Sequence, residues 1–163
     1  MAYTSAQKAF CSSSTSVCPW RYDVSLSFRG KDTRFNFTDH LYTSLVHKGI
    51  KNFRDDTLKR GEEIAPEILK AIEESRFSVV VFSENYASSG WCLNEHVKIM
   101  ECRKEMEQPV VPIFYHVDPS DVRKQMGSFG EAFSRRKQAS YRWRRKSSAN
   151  LWILAVGVRE AAP

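Results

Sequence analysis

The chain has 163 residues, 42% hydrophobic and 12% aromatic, with a formal net charge of +6, which suits one cored domain with tails. Seven Lys/Arg lie between Arg135 and Lys146 without an acid, and removing them from +6 leaves about −1 for everything else, so the globular part is not a basic platform. Cys11, Cys18, Cys92 and Cys102 form no CxxC pair and no ligand cluster with the four histidines, which argues against a metal site or disulfide framework and for a reduced, cytoplasmic chain.

Residues 1–19 are rich in Ser and Thr, carry only Lys8 as a charge and lack an apolar stretch. They read as a disordered leader rather than a secretory signal. No apolar run approaches membrane-spanning length, so no membrane partner is expected. In the first strand, Tyr22, Val24, Leu26 and Phe28 alternate with Asp23, Ser25 and Ser27, and it ends at Arg29-Gly30. Asp32 or Thr33 is placed to cap a helix with Phe37, Leu41 and Leu45 on its inner face, closed by Gly49. A short second strand is expected over 50–53. After a polar loop, Pro66 suits the first turn of a helix whose inner face is Ile64, Ile68, Leu69 and Ile72.

The run 77–82 predicts a third strand, apolar on both faces as buried parallel strands are. A helix then carries Cys92, Leu93, His96, Val97, Ile99 and Met100 on one arc. Glu95 falls outside that arc, beside Trp91, at the rim of the buried face. On spacing alone it would pair with Lys98. The fourth strand, 110–117, holds Pro112, which points to an edge or a bulge. Asp118-Pro119-Ser120-Asp121 reads as a helix-initiating turn. Alternating strands and helices predict an α/β, flavodoxin-like, doubly wound parallel sheet, whose functional crevice lies at the carboxyl ends of the strands.

The blocks Tyr22-Asp23-Val24-Ser25-Leu26-Ser27-Phe28-Arg29-Gly30-Lys31-Asp32-Thr33-Arg34, Phe53-Arg54-Asp55-Asp56, Arg60-Gly61-Glu62, Val81-Phe82-Ser83-Glu84-Asn85-Tyr86-Ala87, Trp91-Cys92-Leu93 and Phe114-Tyr115-His116-Val117-Asp118-Pro119 resemble plant Toll/interleukin receptor (TIR) domains of nucleotide-binding, leucine-rich-repeat resistance proteins. The resemblance covers residues 20–134 and leaves 135–163 as a basic, divergent tail. It implies an NAD(P)+ nucleosidase, active on self-association, that cleaves the nicotinamide–ribose bond in plant immune signalling and cell death. NAD+ or NADP+ is the substrate, and no cofactor or metal is implied.

By the same resemblance Glu95 is the catalytic acid. Arg29, Gly30, Lys31, Asp32, Thr33, Arg34, Gly61 and Trp91 bind substrate, and His40 belongs to a self-association surface. The chemistry suits these residue types. Nicotinamide leaves as a neutral base from a cation, so one carboxylate that holds the ribose and stabilises oxocarbenium-like charge suffices. Guanidinium forks match phosphate oxygens.

Four departures from the family pattern stand out. Ser25 replaces a bulky apolar residue, a loss of packing on the order of 2–4 kcal/mol if it points inward. Gly90 replaces an Arg, and Asn94 and His96 replace Asp and Leu. Beyond Phe133 the expected fifth strand and closing helix give way to a basic stretch and the apolar run 151–156, so the last strand and helix are expected to be incomplete, as in a truncated TIR-only protein. Two further readings follow. One is a catalytically weak adaptor or decoy that pairs with full-length TIR receptors. The other is weak nucleic-acid contact, or nuclear targeting, by the basic tail.

Overall fold

The computed structural model describes residues 20–55 and 66–139, with side chains to residue 135. Four parallel strands, β1 (Tyr22–Phe28), β2 (Asn52–Arg54), β3 (Ser75–Phe82) and β4 (Val110–Phe114), form one sheet in the order β2-β1-β3-β4. The expected α/β doubly wound sheet is therefore present. Chain order reverses between β1 and β3, and that switch point is where such sheets open a crevice. Pro112 sits in β4, the outer strand among the described residues, where a missing N–H is least costly.

Side-chain alternation assigns the two faces. Val24, Leu26, Phe28, Val79 and Val81 point to the face covered by α2 (Phe37–His47), through Phe37, Leu41, Tyr42 and Leu45. Val80 and Phe82 point to the other face, against α3 (Pro66–Glu73), α4 (Gly90–Met106), α5 (Pro119–Lys124) and α6 (Gly127–Ala139). The serines of β1 also point to this second face, where Ser25 and Ser27 are each 2% exposed. Ser25 is inward but not unpaired. Its hydroxyl meets that of Ser78 at 2.8 Å, and Ser78 donates to Oε1 of the buried Gln108 at 3.3 Å. A polar pair thus occupies the place of the expected packing loss.

Several boundaries differ from those read in the sequence. After β1 the chain makes a one-turn helix, α1 (Gly30–Thr33), and α2 begins only at Phe37. Its cap is Asn36, whose side chain accepts from the Phe37 N–H at 2.5 Å, rather than Asp32 or Thr33. Thr33 instead turns fully inside and accepts a 2.7 Å hydrogen bond from Thr38. β2 starts at Asn52 rather than residue 50, and β3 at Ser75 rather than residue 77. On α3 the buried residues are Ile68, Ala71 and Ile72, with Leu69 half-buried; Ile64 lies outside the described residues. Asp118 caps α5 as its turn predicts, accepting from the Ser120 N–H at 2.6 Å.

Packing of α6 depends on Gly130, because a Cβ there would overlap the backbone carbonyl of Gln125. Backbone cannot yield as a flexible side chain can. Gly130→Ala is expected to destabilise the fold by about 1–3 kcal/mol, read as a lower urea midpoint with unchanged slope. An unshifted midpoint would refute this close approach.

Candidate active site

Helix α4 carries the acid. Ser89 caps it by accepting from the Cys92 N–H at 3.3 Å. The predicted arc Cys92, Leu93, His96, Val97, Ile99 and Met100 is buried throughout. Glu95, read as a rim residue, is buried as well, at 5% exposure. The reason is tertiary: one side of α4 faces the core and another faces the polar edge of β1, so almost no side of its first turns meets water. Lys98, the expected i+3 partner, pairs with Glu73 on α3 instead.

What Glu95 meets is the serine face of β1. Ser27 donates from Oγ to Oε2 of Glu95 at 2.5 Å, and Ser27 Oγ lies 2.9 Å from the hydroxyl of Tyr86. Tyr86, wholly buried, in turn donates to the Cys92 carbonyl at 3.0 Å. Beside this chain lies a cavity of about 220 Å³, its open mouth included, lined by Ser25, Ser27, Phe53, Asp55, Ile72 and Glu95 among others. Most of that volume is its open mouth, and the enclosed part has room for about one water molecule, so it is a shallow recess beside Glu95 rather than a closed ligand pocket.

Burial pushes the Glu95 carboxyl up from 4.5 to about 8. The Ser27 hydroxyl opposes that rise, Asp55 adds to it, and Trp91 and Arg34 oppose it. The Trp91 indole N–H faces the carboxylate closely enough to favour its charge, yet lacks the alignment of a hydrogen bond. Burial likewise raises the Cys92 thiol to about 12 and lifts the Tyr86 phenol well above its ordinary 10. Glu95 is thus the one group in this cluster that can change charge near neutral pH.

Of the loop after β1, Arg34 alone acts on the charge of Glu95, and no residue of 29–34 lines the recess beside it. Arg34 folds its guanidinium over the Phe28 ring, 5.3 Å from the centroid, and across Gly30, where an added Cβ would come within 3.0 Å of Arg34 Nε. The bare Gly30 therefore makes room for Arg34. Asp32 ties the two strand ends at the switch point together: its carboxylate accepts from Ser83 Oγ at 2.5 Å and from the Asn85 N–H at 3.1 Å. Arg29 is half-buried with Nε unpartnered among the described residues, and Lys31 is exposed. Thr33 anchors the loop from inside, and Gly61 lies outside the described residues. His40 is exposed on α2, across the sheet from the cavity.

Residues 21–158 match the family model described as the TIR domain. The chain belongs to the TIR family. Its TIR domain is 68% identical over 136 residues to the disease resistance protein RPV1 of Vitis rotundifolia, covering 82% of this chain and 10% of that protein. It is 62% identical over 122 residues to the TMV resistance protein N of Nicotiana glutinosa, covering 74% and 11% respectively. The chain thus spans about a tenth of the length of these relatives. Among solved structures, the TIR domains of the activated Roq1 resistosome, which recognises the pathogen effector XopQ, superpose with a TM-score of 0.70 at 52% identity, covering 83% of this chain and 81% of that one.

Three residues of this TIR site carry no obvious sequence signal. Ser25 and Ser27 are ordinary strand serines until α4 is packed over them, and Tyr86 reads as a loop tyrosine. The usable clue is the two-residue period of β1, which places both serines on one face. Among the described residues no group of three His, Cys, Asp or Glu side chains is placed to hold a metal, and no helix is long and apolar enough to cross a membrane.

Proposed function

We propose that this TIR domain is an NAD(P)+ nucleosidase in plant immune signalling, with Glu95 as the catalytic carboxylate. The observation that carries the reading is the one buried acid among the described residues, hydrogen-bonded by Ser27, on the wall of a recess between β1, β2, α3 and α4. The nicotinamide–ribose end of the dinucleotide approaches Glu95 at the mouth of that recess, and its pyridinium charge favours the ionised form of Glu95. The carboxylate holds the ribose hydroxyls as positive charge develops at the anomeric carbon. The N-glycosidic bond breaks with its electron pair going to the nicotinamide nitrogen, water adds to the anomeric carbon, and Glu95 accepts the water proton. Arg29 and Arg34 suit the phosphates and Trp91 a flat ring. Asp32 and Thr33 set the shape of the loop and Lys31 contributes at its edge, while Gly61 is assigned to substrate binding on the family resemblance alone.

Self-association completes the reading. Similarity to TIR domains within an assembled resistosome and the exposed position of His40 support activity that appears when domains gather. Incubating the purified protein with NAD+ at rising concentration, beside Glu95→Gln, tests it. Nicotinamide release should steepen with protein concentration and fall about 10²–10⁴-fold in the variant. Equal release by both, or none from folded protein at any concentration, rejects the enzyme and leaves an adaptor that acts by pairing with other TIR domains.

A further inference from the structure

Ser27, Tyr86 and Glu95 form a chain of three contacts with a proton count of its own. The contacts are Glu95 Oε2 to Ser27 Oγ, Ser27 Oγ to Tyr86 Oη, and Tyr86 Oη to the Cys92 carbonyl, at 2.5, 2.9 and 3.0 Å. Each hydroxyl carries one proton, and the Cys92 carbonyl only accepts. When Glu95 is ionised, two protons serve three contacts, so one goes unbridged. When Glu95 is protonated, the chain runs in one direction, from carboxyl to Ser27 to Tyr86 to carbonyl, and all three are bridged. All of these groups are buried, and Tyr86 and Cys92 do not line the recess that Ser27 and Glu95 border.

We propose that Ser27 and Tyr86 are positioning residues for Glu95: Ser27 pins Oε2 so that Oε1 is the oxygen left for the ligand, and the hydroxyl pair sets the pH at which the acid ionises. This deepens the nucleosidase reading and rests on it only for its catalytic consequence. The two hydroxyls act in opposite directions. Removing Ser27 costs the protonated state two neutral contacts, but it strips the buried carboxylate of its donor, which costs the ionised state more, so ionisation becomes harder. Tyr86 accepts from Ser27 only when Glu95 is protonated. Its removal costs the protonated state two contacts and the ionised state one, so ionisation becomes easier.

The other groups acting on Glu95 are Asp55 beyond β2, Arg34 beyond α1 and Trp91 on α4. Cys92 and Tyr86 stay neutral below their raised values. From α3 only Ile68 and Ile72 line the cavity. None of these is altered by the two substitutions, apart from Tyr86 itself.

The test is the carbon-13 carboxyl titration of Glu95 in glutamate-labelled protein, its signal identified by its loss in Glu95→Gln, together with the pH profile of nicotinamide release. Ser27→Ala should raise the ionisation midpoint and Tyr86→Phe should lower it, each by about one pH unit. The rising limb of kcat should follow the same directions. Ser27→Thr keeps the hydroxyl, so its midpoint should match the parent. If Ser27→Ala does not fold, Ser27→Thr and Tyr86→Phe decide the matter. Midpoints that stay put, or move together, overturn the proposal. Opposite shifts in a protein that releases no nicotinamide support the positioning and sink the enzyme alone.

Discussion

Glu95→Gln is expected to make the protein more stable at pH 7 by about 3 kcal/mol, a rise in thermal midpoint on the order of 10 °C. Burial holds the folded carboxyl at about 8 against an ordinary 4.5. The folded state therefore keeps a proton that the unfolded chain has released above pH 4.5. The contribution of Glu95 to stability falls as pH rises from 4.5 to 8, and it is restored on acidification. Gln is neutral at every pH and fits the same place, so it escapes that loss. The gap between variant and parent should close at pH 4.5 and be widest above pH 8. Thermal melts across this range check it, and coincident melting curves at pH 7.5 would show that Glu95 is ionised freely in the folded state. A residue whose removal stabilises the fold while ending turnover is one retained for chemistry.

The second large effect belongs to the next residue of the same helix. His96 is 1% exposed, packed edge-on to Phe82 at 5.7 Å and Tyr86 at 6.5 Å, and burial pulls its imidazole down from 6.5 to about 3. Here the unfolded chain binds the extra proton, so stability is lost as pH falls below 6.5, by about 1.4 kcal/mol per pH unit. Between 4.5 and 6.5 the two neighbours cancel. The unfolded chain carries a charged Glu and a charged His, the folded one carries both neutral, and the proton count is equal. The parent should show a stability plateau over that interval, falling on either side. In His96→Leu the plateau disappears and stability declines steadily from pH 4.5 upward. At pH 4 the variant should gain about 3 kcal/mol over the parent relative to their difference at pH 7. Urea midpoints read at pH 4, 5.5 and 7 decide it, and an unchanged profile in the variant would mean that His96 is protonated inside the fold.

These two positions also show where sequence reasoning stopped. The helical arc marks His96 as inward, and the structure agrees, but the same projection leaves Glu95 at a rim. A helical wheel assumes one buried side, whereas the start of α4 is enclosed by β1, α3 and the Tyr86–Ser88 turn together. Ser25 was expected to leave a packing defect; instead it finds Ser78, a residue on the adjacent strand whose register no local pattern specifies. The helix cap moved from Asp32 or Thr33 to Asn36 because Thr33 is drawn inside by Thr38 and Asp32 is occupied across the switch point by Ser83 and Asn85.

By itself, the sequence determined the parallel α/β architecture, the two-sided burial of β3 and, through its motifs, the TIR family. These are properties of hydrophobic period and residue type, which act along the chain. Only the tertiary structure decided that Glu95 is enclosed, that Ser27 and Tyr86, 59 residues apart, share its protons, and that its ordinary acidity is lost. Desolvation is set by what surrounds a group from every side, and two of the elements around Glu95, β1 and α3, come from distant parts of the chain.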